Sequence, residues 1–189
     1  GYDVATDTTT GPPRYSIGGT NKNRPFVIID ENILDGVPQS GWRKAVKENL
    51  KNKFPYGIKL GKNDVFIDRS SRKEMTFSKY TRWLASNDTQ LFADKLRATN
   101  NADEILQATQ DWINEGPLHK RADDISDFAR GNVLMRVGQN DYTADVIVGT
   151  DRDGVMRLYD IINLDPTTIT EKETDTVITH NPSPGGHRN

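Results

Sequence analysis

The sequence predicts an α+β fold in which N-terminal helices pack on a C-terminal antiparallel β-sheet. Up to residue 116, apolar side chains recur mainly at the three-to-four-residue spacing of amphipathic helices. After residue 131 they recur every second residue, and the turn sequences "GQND" and "DRDG" separate three such runs. Helices followed by strands are typical of the α+β class. The three strands are predicted at 132–137, 142–150 and 155–164.

The N-terminal part of the chain predicts a strand, a helix and a hairpin. "FVIID" at 26–30 has the length and composition of an edge strand. The following segment "SGWRKAVKENLKNKF" predicts a helix with Ser40 as its N-cap, because a serine oxygen can accept a hydrogen bond from a free N–H of the first turn. "GIKLGKNDVFID" then predicts two short strands around a Gly-Lys-Asn-Asp turn. The predicted apolar face of the helix consists of Trp42, Val46 and Leu50.

The segment "RKEMTFSKYTR" at 72–82 predicts the N-terminus of a second helix, with Thr76 or Ser78 as the cap. Two more helices are predicted, one at 88–99 and one that begins at Asn101 and ends before Gly116. Apolar stripes support these assignments. The stripes consist of Phe77, Tyr80 and Leu84 in the second helix, and of Ile105, Ala108 and Trp112 in the last.

Composition confines the packed part of the chain. Of its 189 residues 34% are hydrophobic, and the mean hydropathy is −0.73. We expect a flexible leader at 1–24, an N-terminal extension or part of the same domain at 25–68, the core at 69–170 and a tail at 171–189. Without cysteine the chain has no disulfide or thiolate zinc site. No segment has the length of a membrane span or the pattern of a signal peptide.

Charge is distributed unevenly along the chain. Residues 41–82 contain twelve Lys or Arg against four Asp or Glu, a net charge of +8, whereas the whole chain carries −2 and the remainder therefore −10. Such a basic segment attracts polyanions over roughly a Debye length, about 8–10 Å at ordinary salt. A solvated helix surface with surplus lysines is the alternative interpretation.

Motifs exclude several kinds of chemistry. The chain has no GxSxG, P-loop, GxGxxG or HExxH motif, so neither a nucleotide cofactor nor a metal site is predicted. Asp151 and Asp153 are better explained by a hairpin turn than by a calcium loop. Two of the three histidines, His180 and His187, fall in the predicted tail. His119, between a predicted helix stop and the sheet, is the candidate general acid or base.

The remaining polar residues suit cleavage of RNA without a metal. A base deprotonates the ribose 2′-OH, which attacks the adjacent phosphate, and cations stabilise the charge of the transition state. Lysine and arginine side chains are available for the phosphate, and tyrosines can stack on a base or donate a proton. The candidates for these roles are Lys73, Lys79, Arg82, Tyr80, Tyr159 and His119.

The motifs "RKEMTFSKYTRWL", "LHKRADDISDFARGNVLMRV" and "YTADVIVGTDRDGVMRLYDIINL" resemble the barnase/EndoU/colicin/RelE-like nucleases. The resemblance covers about residues 70–170 and makes 69–170 a nuclease-like core. It implies a metal-independent ribonuclease without a cofactor. EndoU-like members use two histidines, whereas this chain has one outside its tail. The implied catalytic residues are His119, Lys79, Tyr159 and Tyr80, and the implied RNA or phosphate contacts are Lys73, Ser78, Thr76, Arg82, Lys120 and Arg121.

The same resemblance implies a biological setting. Domains of this kind form the toxic tips of bacterial contact-dependent inhibition effectors and occur in phage polyvalent proteins. We therefore expect an antibacterial toxin domain that cleaves tRNA in the cytoplasm of a target bacterium and is neutralised by a cognate immunity protein. The chain begins with Gly1 instead of Met, so we expect a carrier polypeptide to precede it in a larger secreted effector.

Two other functions are compatible with the sequence. Glu171 and Glu173 form an E-x-E pattern, which ADP-ribosyltransferase toxins use with NAD, although the Ser-Thr-Ser strand of those enzymes is absent. A non-enzymatic RNA-binding or assembly module would use the +8 segment equally well. Replacement of His119 separates either enzyme from such a module.

Overall fold

The fold is α+β, as the sequence predicts. In the computed structural model, residues 24–117 and 125–170 are described, together with the backbone of a short strand at 177–178. The helices of this part are α1 (Trp42–Lys53), α2 (Arg69–Phe77), α3 (Lys79–Asn87), α4 (Thr89–Asn100) and α5 (Ala102–Ala108). Its strands are β1 (Phe26–Ile28), β2 (Ile58–Leu60), β3 (Asn63–Phe66), β4 (Gln110–Gly116), β5 (Ile125–Val137), β6 (Asn140–Asp151), β7 (Met156–Pro166) and β8 (Val177–Ile178).

The C-terminal half forms the predicted antiparallel meander, in which β5 pairs with β6 and β6 with β7. The sheet as a whole is mixed, however, so the prediction of an antiparallel sheet is wrong for its outer parts. Its strand order is β2-β3-β7-β6-β5-β1-β8, with β4 paired separately to β5. Two strands from the N-terminal part of the chain join parallel to the meander, β1 to β5 and β3 to β7, since helices in between return the chain across one face. β1 lies between β5 and β8 and is therefore not an edge strand.

The end of the predicted last helix is a strand. The helix α5 stops at Ala108, and β4 pairs antiparallel with β5 from Gln110 to Gly116. Trp112 therefore lies in the sheet and does not share a helical face with Ile105. A Cβ atom at Gly131 would lie 2.9 Å from the Trp112 ring, so the glycine makes room for this indole.

The predicted cap at Ser40 is wrong, whereas the predicted cap at Thr76 or Ser78 is confirmed for Ser78. Ser40 lies in a 3₁₀ turn, and Gly41 occupies the N-cap position of α1 without a side-chain hydrogen bond. Thr76 lies inside α2 and is fully buried, whereas Ser78 caps α3 by accepting a hydrogen bond from the Thr81 N–H at 3.3 Å. The segment 72–82 therefore contains the break between two helices, since Ser78 is extended.

One hydrophobic core joins the segment 26–66 to the meander. Buried side chains of β1, α1 and β3 pack in the same cluster as those of β6 and β7. The helices cover one face of the sheet, and the opposite face of β5 and β6 carries ion pairs. There Arg130 donates to Glu115 at 2.8 Å and to Asp145 at 3.0 Å, and Arg136 donates to Asp141 at 2.7 Å.

Candidate nucleic-acid interface

A basic groove of about 720 Å³ lies between α1 and α2 on the helix side of the molecule. Six cationic side chains and one carboxylate line it, so its formal charge is +5. Both helices come from the segment that the sequence predicts to be strongly basic. We call this surface the basic groove; it is lined by Arg43, Lys47, Glu48, Lys51, Arg69, Arg72, Lys73 and Phe77.

The packing of the two helices explains why their cations converge. Val46, Leu50 and Met75 are fully buried in the core, which turns the charged side chains of α1 and α2 toward solvent. Arg43 crosses from α1 to α2, where its Nε donates to the Thr76 carbonyl at 2.8 Å. A cation at this position also complements the negative end of the α2 dipole.

The cations of the basic groove are not neutralised internally. Within 24–117 and 125–170, no carboxylate lies within 4.0 Å of any of the six. Burial lowers the pKa of the Arg43 guanidinium from its ordinary value, and the positive charge of Arg82 lowers it further. Like charges are thus held close together, which favours a bound anion.

An exposed aromatic ring lies at one end of the basic groove. Phe77 retains 44% of its surface exposure. The Arg43 guanidinium carbon lies 4.7 Å from the centre of the Phe77 ring, and that of Arg82 lies 5.2 Å from it. Both distances are within the range of cation–π interactions. The groove therefore combines phosphate-binding cations with a planar group at its end.

Of the predicted phosphate contacts, Lys73 lines the basic groove and Arg82 lies beside it at Phe77. Thr76 and Ser78 are not available for phosphate. The Thr76 hydroxyl is buried and donates to the Arg72 carbonyl at 2.8 Å. The Ser78 hydroxyl, also buried, lies 2.8 Å from that of Thr81 while capping α3.

The predicted catalytic tyrosines lie on opposite sides of the sheet. The Tyr80 hydroxyl accepts a hydrogen bond from the Leu164 N–H at 2.9 Å, and Tyr80 packs against the helix-side core. Burial raises the pKa of Tyr80 to about 12, so this phenol is a poor proton donor at neutral pH. Tyr159 packs edge-to-face on Phe128, 5.0 Å between ring centres. Val133 belongs to the helix-side core. Phe128 lies five residues before it on the same strand, and because side chains alternate along a strand, this odd spacing points Phe128 away from the helices.

The described residues therefore do not bring Lys79, Tyr80 and Tyr159 into one site. Lys79 is exposed at the start of α3. Three further predicted residues lie outside the described part of the chain, namely His119, Lys120 and Arg121. The same holds for Glu171 and Glu173 of the alternative interpretation.

Most residues of the basic groove were not predicted individually. The +8 charge of residues 41–82 contained the signal, because all six cations of the basic groove belong to that segment and only their convergence was missing. The five cations that were not predicted individually are Arg43, Lys47, Lys51, Arg69 and Arg72.

A second cavity, of about 590 Å³, contains a buried carboxylate. Asp94 is 1% exposed and accepts hydrogen bonds from Gln90, Arg97, Asn140 and the Tyr142 hydroxyl. Burial and the bond to Asp94 raise the pKa of Tyr142 well above its ordinary value. The acceptor sites of Asp94 are used by neighbouring side chains, so this network stabilises the junction of α4 and β6.

Comparisons with protein-family models, with curated proteins and with solved structures found no match for this chain. Among the described residues, no His, Asp and Glu side chains cluster in a set of three that could bind a metal ion. None of the described helices has both the length and the apolar character needed to span a bilayer.

Proposed function

We propose that this chain binds RNA in the basic groove. The observation that carries the proposal is the convergence of six cations from α1 and α2 that have no carboxylate partner among the described residues, with an exposed phenylalanine at one end of the groove. A phosphate backbone supplies negative charges along its length, and each neutralised phosphate releases counterions. The groove thus serves a polyanion better than it serves a small neutral ligand.

Salt dependence and charge reversal test this proposal. Binding of a fluorescein-labelled 12-nucleotide RNA is measured by anisotropy between 50 and 200 mM salt in EDTA. The double variant Lys47→Glu, Lys73→Glu reverses two groove charges on different helices. We expect it to bind about tenfold or more weakly, with a log K against log salt slope reduced by about 1.4 for two lost phosphate contacts.

The matched control is Lys44→Glu, Lys62→Glu, which makes the same change in net charge at exposed lysines that do not line the basic groove. We expect near wild-type affinity from it. Equal losses in both double variants would show a diffuse charge effect and contradict the groove as the binding site. Absence of RNA binding by the wild-type chain would also contradict the proposal.

As a second candidate function, we propose RNA cleavage without a metal. This is the activity expected of a secreted toxin that cleaves tRNA and is neutralised by an immunity protein. One observation favours it. Gly116 at the end of β4 pairs with Phe128, whose ring contacts Tyr159, and His119 follows Gly116 by three residues in the sequence. A cleaving centre would thus draw on His119, its basic neighbours and Tyr159. Tyr80 is not part of this centre.

Cleavage is tested on total bacterial RNA incubated with the chain in EDTA and separated on a denaturing gel. We expect discrete tRNA fragments from the wild-type chain and none from His119→Ala. His180→Ala is the control, since it removes a histidine from the predicted tail. Intact RNA after incubation with the wild-type chain would contradict cleavage. It would not affect the proposal of RNA binding, which the anisotropy measurement tests separately.

A further inference from the structure

We propose that the basic groove selects single-stranded RNA, because the end of the groove is a stacking platform for an unpaired base. The platform consists of Arg43, Phe77 and Arg82. This inference rests on the proposed function and adds the substrate class to it.

The platform is formed by planar groups from three helices. Phe77 is the last residue of α2, and the guanidinium groups of Arg43 from α1 and Arg82 from α3 lie over its ring. Arg43 is fixed by its bond to the Thr76 carbonyl and also lies 4.9 Å from the Phe92 ring centre. Arg82 is exposed, so a base can reach its guanidinium beside the exposed Phe77 ring.

An unpaired base extends such a stack, whereas a paired base does not. Bases stack on aromatic rings and on arginine guanidinium planes when they are splayed out of a helix. In a duplex both faces of each base are already covered by its neighbours. Charge alone would favour the duplex, which carries more phosphates per unit length. A preference for single strands therefore reports stacking and not charge.

The positions of Lys73 and Phe77 fit this mode of binding. They are four residues apart on α2, so they lie on the same side of the helix, and both line the groove. A strand whose phosphates contact Lys73 thus has a base within reach of the platform. Because the platform is at the end of the groove, one or two bases would occupy it while the remaining contacts are to the backbone.

The test compares a labelled 12-nucleotide RNA with the duplex of the same sequence, each titrated with wild-type chain and with two conservative variants. Arg82→Lys keeps the charge but removes the guanidinium plane of the platform. Arg152→Lys is the matched control, because Arg152 is an exposed arginine in the turn between β6 and β7 and does not line the basic groove. Phe77→Leu removes the ring while keeping an apolar side chain.

We expect the wild-type chain to bind the single strand about tenfold more tightly than the duplex, in line with the contribution of one stacked base. Arg82→Lys and Phe77→Leu are expected to lose this preference, and Arg152→Lys to keep it. Equal affinity of the wild-type chain for both RNAs would overturn the stacking platform while leaving RNA binding in place. An unchanged preference in Arg82→Lys, or an equal loss in Arg152→Lys, would overturn it too. Absence of binding to either RNA would overturn both proposals.

Discussion

At the scale of single residues, a buried ion pair joins α4 to β7. Lys95 is fully buried, and its Nζ donates to Asp160 at 2.7 Å, to the Met75 carbonyl at 2.7 Å and to the Thr99 hydroxyl at 3.1 Å. Asp160 also accepts from the Ile161 N–H at 2.8 Å. Every donor of the ammonium is thus used. Such a pair fixes one arrangement of α2, α4 and β7, because a lone buried charge is costly.

Removal of one partner is therefore expected to destabilise the protein strongly. Lys95→Met leaves the Asp160 carboxylate buried without its cation, and we expect a loss of about 3–5 kcal/mol in the free energy of unfolding. The double variant Lys95→Met, Asp160→Asn removes both charges, and the amide oxygen introduced at position 160 can still accept the hydrogen bond from the Ile161 N–H. It should recover a large part of that loss in urea unfolding. A double variant that is no more stable than Lys95→Met would contradict this account. The control is Lys79→Met, which makes the same substitution at an exposed lysine.

At the scale of elements, Arg157 connects the start of α2 to the turn between β6 and β7. It donates to Asp68, the N-cap of α2, at 2.7 Å and to Asp151 at 2.7 Å. Burial tends to raise the pKa of Asp68, but hydrogen bonds from the Ser71 N–H and from Arg157 outweigh this, so its pKa is lowered. The hydrogen bond from Arg157 also lowers the pKa of Asp151. Asp151 in turn accepts from the N–H groups of Asp153, within the predicted "DRDG" turn, and of Val155, directly after it.

These lowered pKa values predict how stability depends on pH. The folded carboxylates bind protons less readily than the unfolded ones, so their contribution is complete at neutral pH and is lost as the pH falls below about 4. Arg157→Gln should lower the stability at pH 7 only modestly, because both ion pairs are partly exposed and therefore screened by solvent. The difference from wild type should shrink between about pH 5 and pH 3 in thermal unfolding. A difference independent of pH would contradict the linkage, and Arg152→Gln in the same turn is the control.

At the scale of the whole molecule, the chain folds around a core that both ends of the described region share. Val27, Val46 and Val65 from the segment 26–66 are fully buried in one cluster with Val146 and Leu158 of the meander. The parallel pairings of β1 and β3 add backbone hydrogen bonds between the same parts. The N-terminal strands and α1 are therefore expected to unfold together with the sheet.

Cooperative unfolding is measured with a chain whose single tryptophan is Trp42, made by Trp83→Phe and Trp112→Phe. Trp42 packs 5.7 Å from Phe92 and reports on α1. We expect its fluorescence midpoint in urea to coincide with the midpoint from far-UV circular dichroism, which reports on helices and sheet together. A fluorescence midpoint at lower urea would contradict a shared core and would indicate that the N-terminal segment unfolds by itself.

The sequence determined the α+β class, the hairpin at 58–66, the helices α1 and α4, and the meander, because each depends on a local period or turn. It also determined that residues 41–82 are strongly basic. Only the tertiary structure decided the parallel pairings of β1 and β3 and the strand conformation of Trp112, since these depend on distant partners such as Gly131. It likewise separated Tyr80 from Tyr159 and joined the cations of α1 and α2 in one groove, because the facing of two elements is set by packing and not by local sequence.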